Sequence, residues 1–90
     1  MATAIKTLTA AWSLIVAAGE EFLATIPRDA QHHVEVATSD DSDLPAAAIG
    51  HLLRFDLPES MNRALIGPGA VYARTPSGTG RLVVNAWTPG

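Results

Sequence analysis

Short apolar segments separated by turn-forming residues run along the whole chain, and several of them alternate with a period of two. The clearest alternation is in His33–Thr38, where Val34 and Val36 fall on one face and His33 and Glu35 on the other. This pattern is typical of a strand with one buried face. The segments recur at roughly 8–12-residue spacing, which predicts a mainly β protein, a small antiparallel jelly-roll-like β-sandwich of about 6–8 short strands.

Ala64–Trp87 gives the strongest local signal. Two runs rich in β-branched and aromatic residues, Ala70–Arg74 and Arg81–Trp87, flank the turn-forming linker Thr75–Gly80. This predicts a β-hairpin with a loop longer than two residues. Alternating positions of its strands should face one side together and serve both the core and self-association; they are Val71, Ala73, Leu82, Val84 and Ala86. If one chain covers that face completely, the interface is expected elsewhere, first at Trp12.

Two alternatives compete with strands in the first 26 residues. The apolar run Leu8–Ala18 after a single lysine resembles a signal peptide, but its positive charge is weak, and export is not expected. Apolar residues at 3–4 spacing from Ile5 to Ile26 fit an amphipathic helix or coiled-coil seam. Gly19 weakens the helical alternative, because glycine inside a helix costs about 1 kcal/mol relative to alanine.

The favoured interpretation of this region is two strands, Ala11–Ala17 and Glu21–Ile26, separated by a turn at residues 18–20. Continuous apolar runs suit strands that are covered on both faces, although Ile15 interrupts the period of two. Further along, His51–Phe55 is another predicted strand. Glu59–Leu65 fits either one helical turn or a short edge strand. Between the strands, Ser39–Pro45 is predicted to be a polar loop, followed by a short connector at residues 46–49.

Length and composition favour one self-associating domain over residues 1–90, with residues 1–10 as an extended N-terminal arm. A 90-residue chain buries only about 60–65% of the surface that its unfolded form exposes. Cysteine is absent, so disulfides cannot add stability. The chain is 48% hydrophobic and only 17% charged, whereas a soluble monomer usually carries more surface charge. Oligomerisation is therefore the expected source of extra buried area.

Charge and hydropathy argue against nucleic-acid and membrane partners. The formal net charge is −3, and the six basic residues are scattered along the chain. Nucleic-acid binding needs a basic stripe to neutralise phosphates, and none is present. The longest apolar run is shorter than the roughly 20 residues that span a bilayer.

Catalytic and metal-binding signatures are missing from the sequence. His33, Glu35 and His51 have the side chains of a zinc site, but no metal-ligand spacing supports it. His32 and His33 are adjacent, so in a strand their side chains point to opposite faces and cannot bind one ion. No serine lies in a nucleophile motif, and neither glycine-rich run matches a phosphate loop. We therefore expect no enzyme activity, no catalytic residues, no cofactor and no metal.

Aromatic and strand residues are the candidates for an oligomer interface, because tryptophan in a small domain often seals a core edge or an interface. Completion of the core by Trp12 and Trp87 is an equally good interpretation. An alternative function uses Tyr72 or Trp87 as a stacking platform in a carbohydrate- or surface-binding module. The interface candidates are Trp12, Tyr72, Arg74, Leu82, Val84 and Trp87.

From Trp12 onward the chain resembles a family of short virion proteins of tailed bacteriophages, encoded among head and tail structural genes. The resemblance is carried by five motifs: Trp12-Ser13-Leu14-Ile15, Gly19-Glu20-Glu21-Phe22, the acidic loop Asp40–Pro45, Gly50-His51-Leu52-Leu53 and Gly67-Pro68-Gly69-Ala70-Val71-Tyr72-Ala73-Arg74. One departure is Glu59–Leu65, which is longer than the family pattern before Gly67.

The resemblance implies a β-sandwich that assembles on itself, as a homotrimer, on the surface of a virion. The expected function is that of a non-enzymatic capsid decoration or cement protein, with the major capsid protein or another virion protein as partner. A tail fibre, head fibre or spike module is the alternative. The resemblance also favours the strand interpretation of the N-terminal third.

Overall fold

The computed structural model describes residues 2–27, 32–39, 50–54, 60–75 and 79–89. Eight strands and one short helix lie in these ranges. They are β1 (Ala2–Leu8), β2 (Ser13–Val16), β3 (Glu21–Thr25), β4 (Val34–Ser39), β5 (His51–Leu53), β6 (Ser60–Asn62), α1 (Arg63–Ile66), β7 (Ala70–Arg74) and β8 (Gly80–Trp87). The predicted strands at Val34 and His51 are confirmed.

The strands form two antiparallel four-stranded sheets, sheet 1 in the order β1-β8-β3-β6 and sheet 2 in the order β2-β7-β4-β5. They pair in nested order, with β1 on β8, β2 on β7, β3 on β6 and β4 on β5. Two further pairings, β3 with β8 and β4 with β7, complete the sheets. This nested order is that of a rolled-up ribbon, so the predicted jelly-roll-like sandwich is confirmed.

The core lies between the two sheets and is apolar throughout. Sheet 1 contributes Leu8, Phe22, Ala24, Met61, Leu82 and Val84, and sheet 2 contributes Ile15, Val16, Val34, Val36, Leu53, Val71 and Ala73. Each of these side chains is at most 6% exposed. Burying a valine, leucine or phenylalanine side chain completely contributes about 1.5–3 kcal/mol, so this cluster is the main source of stability.

The predicted hairpin between Ala70–Arg74 and Arg81–Trp87 is wrong, although both of its strands exist. β7 lies in sheet 2 between β2 and β4, whereas β8 lies in sheet 1 between β1 and β3. The linker therefore crosses from one sheet to the other. Alternation identifies a strand with one buried face, but it does not choose the strand's partner. The inward residues of β7 and β8 do share one core, which they enter from opposite sheets.

The helical alternative for the N-terminal region is wrong, and the two-strand interpretation is confirmed. A turn joins β2 to β3, closed by a 3.2 Å hydrogen bond from Glu20 N–H to Ala17 O. Gly19 occupies this turn at φ +89°, which favours glycine. The interruption at Ile15 is a register shift between Leu14 and Val16. One extra residue in the strand lets Ile15 and Val16, although adjacent, both be buried.

Of the residues 1–10 predicted to form an arm, Ala2–Leu8 are extended and pair with β8 along their whole length. Glu59–Leu65, which fitted a helical turn or an edge strand, contains both β6 and the start of α1. Asn62 marks the change, because its side chain caps α1 by accepting a 3.1 Å hydrogen bond from Leu65 N–H. The polar loop after Ser39 and the connector at residues 46–49 lie outside the described residues. Within the described ranges, no helix is long and apolar enough to cross a membrane.

Candidate functional site

The side of sheet 1 that faces away from the core is the candidate functional surface. Because Leu82 and Val84 point inward, Val83 and its alternate neighbours on β8 point outward. The strand register extends this face to the neighbouring strands, with Ile5 beside Val83 and Leu23 beside Asn85. This outer face consists of Thr3, Ile5, Thr7, Glu21, Leu23, Thr25, Ser60, Asn62, Arg81, Val83, Asn85 and Trp87.

The outer face combines exposed apolar side chains with little charge. Ile5 is 61% exposed and Leu23 is 43% exposed. Of the residues in the outer face, Glu21 and Arg81 alone carry charge, and they lie near opposite ends of the strands. Threonine, serine and asparagine fill most of the remaining positions. A charge-poor surface with an apolar centre is typical of a protein–protein interface, where charged residues are depleted.

The sheet edges are poor places for a second chain to bind. β1 is the longest edge strand, and its Lys6 lies opposite Leu82, which places the lysine on the core side of the strand. An inward-pointing charge on an edge strand opposes the addition of another strand. β5 and β6 have three residues each, and β2 carries the irregularity at Ile15. Docking is therefore expected on a face and not along an edge.

The outward side of sheet 2 carries a linked group of polar and aromatic side chains. Arg74 lies opposite Glu35 on the neighbouring strand, and its Nε lies 3.2 Å from Glu35 Oε1. The other carboxylate oxygen accepts a 2.9 Å hydrogen bond from Gly50 N–H. The Arg74 guanidinium carbon lies 4.2 Å from the centroid of the Trp12 ring, within the range of a cation–π interaction. This Trp12–Arg74–Glu35 cluster is shielded, because Glu35 is only 9% exposed.

The Trp12–Arg74–Glu35 cluster keeps the buried carboxylate charged. The hydrogen bond from Gly50 N–H is the largest influence and lowers the pKa of Glu35. Burial opposes this effect, and the hydrogen bond and positive charge of Arg74 lower the pKa further. Both carboxylate oxygens accept hydrogen bonds from the protein, so the role of Glu35 is to stabilise the folded structure. Across the described ranges, no three histidine and acidic side chains come close enough together to hold a metal ion.

The predicted interface residues separate into two groups. Leu82 and Val84 lie in the core, at 0% and 2% exposure, and Tyr72 on the other sheet is 6% exposed. Within one chain these three side chains are covered, so a second copy would have to dock elsewhere. Trp12 and Arg74 are half-buried in the cluster on sheet 2, and Trp87 is half-buried on the outer face.

Sequence reasoning missed Ile5, Leu23 and Arg63. In the sequence, Ile5 counted only toward the helical spacing and Leu23 was not singled out, and the register with β8 is what shows that both point outward. Arg63 joins two loops that are distant in sequence. Glycines at Gly67 and Gly69 were the local sign of an unusual loop beside it.

Comparisons with protein-family models, with curated proteins and with solved structures give no match to this chain. Function is therefore inferred from the residues and the geometry of the chain itself.

Proposed function

We propose that this chain is a non-enzymatic structural protein of a bacteriophage virion, a capsid decoration protein that binds the head shell and other copies of itself. The observation that carries the proposal is the outer face of sheet 1, where Ile5 and Leu23 are exposed among uncharged residues. A small domain gains stability when such a face is covered. Binding to a partner covers it.

The fold and the sequence resemblance agree with this proposal. Double-sheet jelly rolls recur in viral capsid proteins and in lectins. This is an analogy at the level of the fold, which by itself does not assign a function. The motifs shared with short phage virion proteins extend from Trp12 to Arg74, and they add the expectation of a particle-surface location, with the major capsid protein or another virion protein as partner.

The proposed self-assembly is a homotrimer. A cyclic trimer uses head-to-tail contacts, so each subunit must present two different patches. The outer face of sheet 1 supplies one patch. Leu14 and Leu52, which are 53% and 49% exposed, supply apolar surface on the two edge strands of sheet 2. Because the sheet edges are poor places to add a strand, we expect assembly through the outward faces of the two sheets, where these side chains lie.

Native mass spectrometry of the purified chain at micromolar concentration tests the proposal. The wild type is expected at three times the subunit mass of 9.4 kDa. Replacing both Ile5 and Leu23 by aspartate should shift the population to monomer, because it buries two unpaired charges in the interface. Leu65→Asp is the control, since Leu65 is 64% exposed on α1 and is not one of the residues of the outer face. A wild type that stays monomeric, or a double variant that still forms trimers, contradicts the proposal.

A density map of the purified phage particle tests the location. Density for the chain on the head shell supports the decoration role. Density on the tail or on a fibre overturns that role in favour of the fibre or spike alternative. Absence of the chain from the particle overturns both.

A further inference from the structure

An open pocket of about 280 Å³ lies beside β3, away from the centre of the outer face. Four of its lining residues come from two connections that cross between the sheets, the β2–β3 turn and the loop from α1 to β7, and the other two are the first residues of β3 and α1. The residues are Gly19, Glu21, Arg63, Gly67, Pro68 and Gly69. This volume lies just below the roughly 300–1,000 Å³ of drug-sized ligand sites. It therefore suits one small ring.

One arginine holds both walls of the pocket in place. Arg63 donates from Nε to Glu20 O at 2.6 Å and from its terminal nitrogens to Ala17 O, Gly67 O and Gly69 O at 2.6–3.0 Å. Its guanidinium also lies over the Phe22 ring, at 5.4 Å from the centroid. Because a single rigid group spans both loops, the pocket is formed before any ligand arrives, which reduces the entropy lost on binding.

The three glycines that line the pocket share a backbone conformation that other residues rarely adopt. Gly19, Gly67 and Gly69 all have positive φ, at 89°, 84° and 107°, and within the described ranges no other residue has positive φ. A Cβ added at Gly19 or Gly67 would meet no atom within 4 Å. Glycine is thus needed there for its backbone angle and not to avoid a neighbour. Both glycines line the pocket.

The residues that line the pocket include one negatively charged and one positively charged side chain. Glu21 is a lining residue, and no hydrogen bond or ion pair to its carboxylate is found in the described part of the chain. Arg63 uses four of its five N–H groups on carbonyl oxygens, which leaves one donor. The positive charge of Arg63 disfavours a cation, and the negative charge of Glu21 disfavours an anion.

A neutral ligand with neighbouring hydroxyl groups satisfies both residues, because each hydroxyl donates one hydrogen bond and accepts others. Pro68 and the glycine α-carbons offer apolar surface to the C–H face of such a ligand. Trp87 lies directly opposite Glu21 on β8, on the same outward side. Cross-strand neighbours have Cβ atoms about 4.5–5.5 Å apart. Trp87 is not part of the pocket lining, but its half-buried indole flanks Glu21 on the neighbouring strand, where it would contact a ring that extends beyond the pocket.

We propose that the Arg63–Glu21 pocket binds a single neutral sugar unit of a glycan, with Trp87 at its rim. The carboxylate of Glu21 accepts from two adjacent sugar hydroxyls, and the remaining N–H of Arg63 donates to one of them. This inference goes beyond the virion role, and it requires that the end of the outer face at Glu21 and Trp87 stays accessible when copies assemble. A decoration protein with such a pocket would attach its particle to glycan-coated surfaces.

Amide NMR spectra of the isotope-labelled full chain test the proposal with glucose, galactose, mannose and N-acetylglucosamine as separate probes. At least one sugar is expected to shift the amides of Gly19, Gly67 and Gly69 with a millimolar dissociation constant. Glu21→Ala should weaken binding about tenfold or more, as expected for the loss of a charge-assisted hydrogen bond. Glu21→Gln keeps an acceptor oxygen and should lose less.

His51→Ala is the control, because His51 is exposed on β5 of sheet 2 and belongs to neither proposed assembly patch, and it should bind like the wild type. Parallel titrations with calcium chloride and with sodium phosphate separate the neutral ligand from an ion. Shifts of the three glycine amides by either salt, and by no sugar, overturn the proposal. It is also overturned if no sugar shifts these amides, or if Glu21→Ala binds as tightly as the wild type.

Discussion

The guanidinium carbon of Arg74 lies 4.2 Å from the ring centroid of Trp12, at the corner where the chain leaves β1 and enters β2. The same guanidinium bonds Glu35 on the neighbouring strand. Arg74 therefore joins the N-terminal corner to the middle of sheet 2. The Trp12 ring also lies so near Gly50 that a Cβ there would meet its Cη2 atom at 2.9 Å. Four residues that are far apart in sequence thus form one packed unit.

Removal of either partner of the Trp12–Arg74 contact should destabilise the fold. Arg74→Ala also leaves a buried carboxylate without its cation, so we expect a loss of about 2–3 kcal/mol in the free energy of unfolding. A double-mutant cycle with Trp12→Ala should show a coupling energy of about 1 kcal/mol, as measured by urea denaturation. Arg74→Lys keeps the charge but loses the planar stacking group, and it should recover only part of the loss. Strict additivity of the two alanine substitutions would show that the stacked geometry contributes nothing.

Stability should depend on pH through Glu35. Its pKa in the folded state is lower than the ordinary glutamate value of 4.5, chiefly because Gly50 N–H donates to the charged form. The ionised carboxylate therefore stabilises the fold above about pH 4.5, and this contribution is lost as the pH falls through the lower folded-state pKa. Glu35→Gln removes the titrating group. Urea midpoints between pH 7 and pH 3 should thus show the wild type losing stability relative to Glu35→Gln on acidification. If the difference in urea midpoint between the wild type and Glu35→Gln is the same at pH 7 and pH 3, Glu35 is not the group that links stability to pH.

His32 completes the end of sheet 1 in place of a strand. Its Nε2 lies 2.8 Å from Arg81 O and 2.9 Å from Arg81 N. The register that pairs Thr25 with Val83 would, if continued, place Pro27 opposite Arg81. Proline has no N–H to donate, so the β3 ladder ends there and the imidazole takes over the hydrogen bonding. The ring tautomer decides whether Nε2 donates to the carbonyl or accepts from the N–H.

His32 and Gly80 should therefore show strong coupling. A Cβ at Gly80 would lie 2.5 Å from Cδ2 of the His32 ring, and its three nearest neighbours are all ring atoms. Gly80→Ala alone should cost about 1–3 kcal/mol by overpacking, and His32→Ala alone about 1 kcal/mol for the lost hydrogen bond. In the double variant the space is vacated, so the total loss should be clearly smaller than the sum. Thermal unfolding of the four proteins measures this, and an additive double variant would show that the backbone itself resists the new methyl group.

The strands could be predicted from the sequence, because burial of one face imposes alternation at positions such as Val34 and Val36. Which strands pair with one another could not be predicted from the sequence. β7 and β8 are adjacent in sequence and each alternates well, yet each sits between two strands from distant parts of the chain. A hairpin and a crossing between sheets bury the same side chains, so the local pattern is the same for both. Ile15 illustrates a second limit, since a register shift hides two adjacent buried residues from any fixed period.

The candidate sites were harder to predict for the same reason. Glu35 and Arg74 are 39 residues apart in sequence, and Arg63 bonds Glu20 across 43 residues. The folded arrangement of the sheets brings such pairs together, and nothing in a local window of the sequence links them. Outward apolar residues such as Ile5 were equally hidden, because an apolar run does not show which of its members the register leaves exposed.

The four hydrogen bonds of Arg63 to carbonyl oxygens give the last prediction. Arg63→Ala leaves four carbonyl oxygens without this donor, those of Ala17, Glu20, Gly67 and Gly69, so the free energy of unfolding should fall by about 2–3 kcal/mol. Arg63→Lys keeps the charge, but its single nitrogen cannot span both loops, and it should recover less than half of the loss. Leu65→Ala, an exposed change on the same helix, should stay within about 0.5 kcal/mol of the wild type. Urea denaturation measures all three, and amide hydrogen exchange at Glu20 should accelerate in both arginine variants because its turn loosens. If lysine proves as stabilising as arginine, charge alone holds the loops, and the planar bridging geometry is unimportant.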